Sequence, residues 1–135
     1  MTYVPATVED ITAALGPVVR DLTATCAVAP VVRPSEGDEE PGVWLLAPDG
    51  TGRSVGSVLW SPDRAEQSAE LADQAQEWAV EALWGAGRAA VWPECPEHPD
   101  AHPLSPGTRA GTAVWSCPRS RQVVAEIGRL APVSP

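Results

Sequence analysis

Both histidines of the chain and two of its three cysteines fall within the 23 residues from Cys95 to Cys117. They read Cys95-Pro-Glu-His98-Pro-Asp-Ala-His102-Pro and then, thirteen residues after that proline, Cys117-Pro118. The spacing is Cys-x2-His-x3-His-x14-Cys. A two-residue gap between ligands is the knuckle spacing of structural zinc sites, and Cys2His2 is a common ligand set. Every one of the four is followed by proline: Pro96, Pro99, Pro103 and Pro118. A residue before proline is pushed toward extended backbone, and proline restricts the unfolded chain. The loop is thus partly ordered before anything binds. Trp92 and Trp115 stand where two strands, predicted at 89–92 and 112–115, reach the cluster, placed to shield its sulfurs.

Thiolate with imidazole favours zinc among the metals. Iron–sulfur clusters usually take four cysteines, and calcium or magnesium would want oxygen ligands. A Cys95–Cys117 disulfide would suit an oxidising compartment; in a reducing one such a pair is metal-binding or catalytic. The N-terminus lacks a basic patch before an apolar run, so no secretory signal is expected. No run of about 18 apolar residues suggests a membrane helix. A cytoplasmic setting follows as the expectation. Cys26, in the apolar stretch 24–29, is expected to be a buried thiol.

The chain has 135 residues, which fits one domain over 1–135. It contains no Phe, Lys or Asn, all residues with AT-rich codons, and this reads as a high-GC bacterial gene. Net charge is −9. Positions 1–87 hold fourteen acids and four Arg, a balance of −10; positions 88–135 hold four acids and five Arg, a balance of +1. Nonspecific nucleic-acid binding needs many cations on phosphates, so the first two-thirds of the chain is a poor candidate. Its charge suits a basic protein partner instead.

The predicted architecture is α+β. A helical segment occupies 1–32: Thr7 and Asp10 form a capping box, and Val8, Ile11, Ala14, Leu15, Val18 and Leu22 recur at helical spacing. Gly16-Pro17 is expected to kink or break it. An acidic loop at 33–42 follows. A first ββα unit is read at 43–87, with strands at 43–47 and 54–60 around an Asp49-Gly50 turn. Its helix is expected to start with Ser61 as N-cap and Pro62 in the first position, and to stop at Gly85 and Gly87. Leu71, Ala72, Ala75, Trp78, Ala79, Ala82 and Leu83 line one face. Glu66, Glu70, Asp73, Glu77 and Glu81 line the other. Positions 88–130 are read as a second hairpin carrying the metal loop and a last helix at 120–130. A faint repeat, Trp60-Ser61-Pro62 against Trp115-Ser116-Cys117-Pro118, supports two such units. One antiparallel sheet with its helices on one face is expected, and the tail 131–135 should fray.

Cys95-Pro-Glu-His98 and Trp115-Ser-Cys117-Pro118 resemble the two knuckles of a zinc ribbon. The wider pattern Cys-Pro-x-His-Pro, His-Pro-Leu, Trp-x-Cys-Pro is similar to that of small uncharacterised proteins of high-GC Gram-positive bacteria. The ribbon resemblance covers 92–118. It departs from the usual ribbon in having one cysteine in the second knuckle, where His102 would substitute. It implies a structural metal that shapes a binding surface, and no particular reaction.

Without the fourth ligand, Cys95, His98 and Cys117 would form the three-ligand set of a hydrolytic zinc, with Glu94, Glu97 or Asp100 as base. Four ligands on one loop favour the closed site. No His-Glu-x-x-His, deaminase signature, Gly-x-Ser-x-Gly elbow or phosphate loop is present. The reading that results is a zinc-stabilised protein-interaction or adaptor module. A small zinc hydrolase is the alternative, and nucleic-acid recognition through Arg109, Arg119, Arg121 and Arg129 is a weaker one.

Overall fold

Thr7 starts the first helix as the sequence predicts. Its hydroxyl accepts from the Asp10 N–H at 3.1 Å, and the Asp10 carboxylate accepts from the Thr7 N–H at the same distance. The computed structural model describes residues 7–34, 42–56, 59, 61–98 and 101–132. The element order is α1 (Val8–Thr25), β1 (Val31–Pro34), β2 (Val43–Leu46), β3 (Gly52–Val55), α2 (Arg64–Gly85), β4 (Ser105–Arg109), β5 (Thr112–Ser116) and β6 (Val123–Glu126). The α+β class holds. Its arrangement is a helix followed by a three-stranded antiparallel meander, twice, with orders β1-β2-β3 and β4-β5-β6.

Several expectations are corrected. α1 runs through Gly16-Pro17 without a break, so two short helices are not formed. Proline removes one backbone donor and crowds the preceding turn, but Ile11, Ala14, Leu15, Val18 and Leu22 bury one unbroken face. The Ala14 carbonyl, three residues before the proline, also accepts the Ser68 hydroxyl of α2 at 2.8 Å. Pro17 is itself a docking surface: a Cβ on Gly128 would stand 2.9 Å from the Pro17 Cβ.

In the predicted acidic loop, Arg33 and Pro34 belong to β1, which pairs with β2 through Arg33↔Trp44 and Pro34↔Val43. Positions 35–41 lie outside the described residues. β3 starts at Gly52, two residues before the predicted 54–60, because the Asp49 carboxylate accepts the Thr51 N–H and hydroxyl and closes the turn early; positions 57, 58 and 60 lie outside the described residues. Asp63, not Ser61, caps α2, accepting from the Glu66 N–H at 3.1 Å. The Ser61 hydroxyl instead accepts from the Asp63 N–H, so Pro62 precedes the helix.

The largest corrections fall in the second half. Residues 89–92 form no strand. They run across the ends of the helices, with the Trp92 indole N–H on the Thr25 hydroxyl at 2.9 Å. The partner of β5 is β4, whose Pro106 and Gly107 disfavour a strand on propensity but are tolerated at a sheet edge. Ala110 and Gly111, with φ of 52° and 80°, close this hairpin as a two-residue turn. The predicted helix at 120–130 is β6 and its continuation. A helix there would need the Gly128 and Leu130 N–H groups for its own ladder. Both go to the Asp21 carboxylate instead, at 2.7 and 3.0 Å. There are accordingly two sheets rather than one: the first ββα unit is present as β2, β3 and α2, the second is not, so the sequence repeat does not mark two like units, and 133–135 lie outside the described residues.

α2 is the element the rest packs against. It meets α1, β3, β4 and β5, burying Leu71, Ala72, Ala75, Trp78, Ala79 and Leu83. The apolar core is continuous from Ile11 to Ile127. Gly56 ends β3 at φ 83°, where a Cβ would lie 2.5 Å from the Ile11 Cγ2. Both the left-handed backbone and overpacking of a filled core penalise a side chain there. Gly56→Ala is expected to cost about 2–3 kcal/mol, read as a lower urea midpoint at unchanged slope. An unchanged midpoint would show that α1 and β3 do not meet this closely.

Candidate metal centre

Two chain segments build the cluster. The first is the loop between α2 and β4. Its base is closed by a bridge between Glu94 and Pro103 and by the Leu104 N–H on the Pro93 carbonyl at 2.8 Å. Gln76 of α2 pins both sides, its amide donating to the carbonyls of Trp92 at 3.3 Å and Leu104 at 2.6 Å. Within the loop a turn joins the His98 N–H to the Cys95 carbonyl at 3.1 Å, and another joins Ala101 to His98 at 3.1 Å. The second segment is the tight reversal after β5. Cys117 exchanges backbone bonds with Gln122 and Arg121 at 2.9 and 2.8 Å, and Arg121 takes a φ of 63° to complete it.

The cluster unites all four sequence-predicted residues: one ligand atom from each of Cys95, His98, His102 and Cys117 lies within 4.8 Å of the other three. The His98 Nδ1 is 3.6 Å from each sulfur, and the His102 Nε2 is 3.9 Å from the Cys117 sulfur and 3.1 Å from the His98 Nδ1. Zinc bonds of about 2.3 Å to sulfur and about 2.0–2.1 Å to nitrogen place tetrahedral neighbours about 3.3–3.8 Å apart. The four donors therefore stand near the corners of a polyhedron one ion would fill. Both cysteines are free thiols and fully buried, while both histidines are half-buried.

Hydrogen bonds around the donors fix their roles. The His102 Nδ1 lies 3.0 Å from the Pro103 carbonyl, which can only accept, so Nδ1 carries the proton. In the neutral ring this turns the Nε2 lone pair toward the cluster, as metal-ligating histidines require. Burial alone would raise the Cys117 thiol. The backbone N–H groups of Ser120 and Arg119 and the Cys95 thiol outweigh burial, and the thiol is pushed down to about 6. The Ser120 N–H meets this sulfur at 3.4 Å, and its hydroxyl donates to Glu97 at 3.0 Å. A thiol so placed is shifted toward the thiolate, the form that binds metal.

The other sequence candidates are dispersed. Glu97 is occupied by Ser120, Glu94 forms the bridge at the loop base, and Asp100 lies outside the described residues. Cys26 does not join the cluster and is half-buried rather than buried. It lines a separate cleft of about 400 Å³ with Leu83, Trp92 and Leu130, and burial raises its thiol. Trp92 and Trp115 pack edge to face at 5.4 Å, inside the core. Arg109 donates to the Arg121 carbonyl at 2.9 Å and Arg129 pairs with Glu126 at 3.4 Å, so part of the basic lobe is used internally.

Gln76, Ser120 and Asp21 escaped the sequence reading. Asp21 is fully buried and accepts from the Trp115 indole at 2.8 Å as well as from Gly128 and Leu130. The available signal was a carboxylate three residues after Val18, in the apolar stripe of α1.

Compared with family models, curated proteins and solved structures, the chain matches none. The zinc-ribbon resemblance accordingly rests on the residues of 92–118 alone. No helix among the described residues is long and apolar enough to cross a membrane.

Proposed function

We propose that Cys95, His98, His102 and Cys117 hold one zinc ion as a structural centre, and that the chain works as a metal-stabilised protein-interaction module. The observation that carries this reading is the convergence of two buried sulfurs and two imidazole nitrogens within 4.8 Å of one another. The Nε2 of His102, 3.1 Å from the His98 Nδ1 and 3.9 Å from the Cys117 sulfur, offers a fourth donor, which favours a closed site over the three-ligand alternative. Closed sites contribute folding energy rather than chemistry. Here the ion would tie the 92–104 loop to the turn after β5.

Metal analysis of the purified protein is expected to give one zinc per chain. Replacement by cobalt(II) should produce the intense visible absorption of a tetrahedral thiolate site, and Cys117→Ser should abolish it. Well under about half an equivalent after zinc-supplemented expression would reject a site built on these ligand distances. Weak, six-coordinate cobalt spectra would reject the closed tetrahedron.

A further inference from the structure

The metal loop forms one wall of a second feature. Pro103, adjacent to His102, and Trp92 face α2 across a groove of about 480 Å³. The helix supplies the opposite wall with Asp73, Glu77, Val80 and Glu81, and Gln76 crosses between the walls to hold the loop carbonyls. Val80 is 40% exposed and Trp84, one turn further on, is 79% exposed. Arg53 of β3 also lines the groove, paired with Glu77 and, at 3.7 Å, with Glu81. This face therefore already accepts one guanidinium, and three carboxylates against one Arg leave it negative.

We propose that this groove docks a basic segment of a partner protein. Arg or Lys side chains of the partner meet Asp73, Glu77 and Glu81, and an aliphatic side chain rests on Val80 and Pro103. Charge selects this occupant. A nucleic-acid backbone and an anionic membrane would both be repelled, as would a second acidic copy presenting the same face. The proposal touches the metal reading at one wall only: a ligated His102 would further fix Pro103, which the Glu94–Pro103 bridge and Gln76 already hold.

The test uses the full chain and a fluorescein-labelled Arg–Leu peptide, with a Glu–Leu peptide of equal length as control. Anisotropy should show binding of the basic peptide alone, weakening as salt rises. Amide shifts should concentrate on 73–84 and 103–104. Glu77→Gln with Glu81→Gln should weaken binding about tenfold, the loss of one or two charge-assisted hydrogen bonds. Trp84→Ala should weaken it about fivefold or more as an exposed aromatic anchor is removed. Arg53→Ala should tighten it severalfold by releasing Glu77 and Glu81. An Arg53→Ala variant with unchanged affinity, a salt-insensitive complex, or shifts spread over the whole acidic surface would overturn the proposal. Zinc bound without peptide binding defeats the docking claim and leaves the metal site standing. Peptide bound in the groove of a protein without zinc supports docking and defeats the metal reading.

Discussion

Chelation of the zinc-loaded protein is expected to lower its unfolding temperature by about 10–20 °C. The estimate follows from linkage: a ligand at about a thousandfold excess over its Kd stabilises by about 4 kcal/mol, and a chain of this size shifts by about 3–5 °C per kcal/mol. The structural reason is the burial of both sulfurs. Cys95 and Cys117 are fully enclosed, and one ion ligated by both sulfurs would tie the loop and the turn together from inside the core. Cys95→Ser and Cys117→Ser should each reproduce the chelated midpoint and make it insensitive to chelator. His102→Ala should fall between, because both buried sulfur ligands remain. Calorimetric scans with and without chelator decide the matter. Coincident curves would mean that no metal contributes to the fold.

The second large effect is expected at Asp21. Its carboxylate receives the Trp115 indole N–H and the Gly128 N–H on one oxygen and the Leu130 N–H on the other. Asp21→Ala leaves three donors without an acceptor in a site closed to water. At about 1–3 kcal/mol for each orphaned group, the loss should reach about 4 kcal/mol or more. That is a large share of the 5–15 kcal/mol typical of a domain. Asp21→Asn is expected to cost less, about 1–3 kcal/mol. Its one oxygen can still take two of the donors, while its NH2 faces the third. Urea unfolding of the three proteins tests the ranking. Equal midpoints for the Ala and Asn variants would show that the carboxylate oxygens do not act separately.

The sequence exposed the cluster but not its frame. The four donors were legible because cysteine and histidine are rare in this chain and their spacing carries coordination geometry directly. α1 and α2 were legible from their apolar stripes, and the first hairpin from Asp49-Gly50. The second half misled for a specific reason. Val123, Val124, Ile127 and Leu130 fit a helical face, while Ser105-Pro-Gly-Thr-Arg109 carries little strand propensity. Local preference pointed away from the fold at both places. What decides them is tertiary: pairing with β5, and a carboxylate more than a hundred residues upstream claiming two backbone donors. A buried acceptor has no periodicity of its own, so nothing near 120–130 announces it. The acidic face of α2 was legible as a row of charges. Arg53, which reaches it from β3, was not, because a cross-element ion pair leaves no mark in either local pattern.

Asp21 also sets an order of events. Its partners stand 94, 107 and 109 positions later in the chain. As the polypeptide leaves the ribosome, the first helix can form and bury its neighbours while this acceptor still faces water. The inside of the molecule cannot close over it until the final strand arrives. Contacts so far apart in sequence are slow to form, so the seal at Asp21 is a late step of folding. Until then the half-built protein keeps a charged seam open where its core will be.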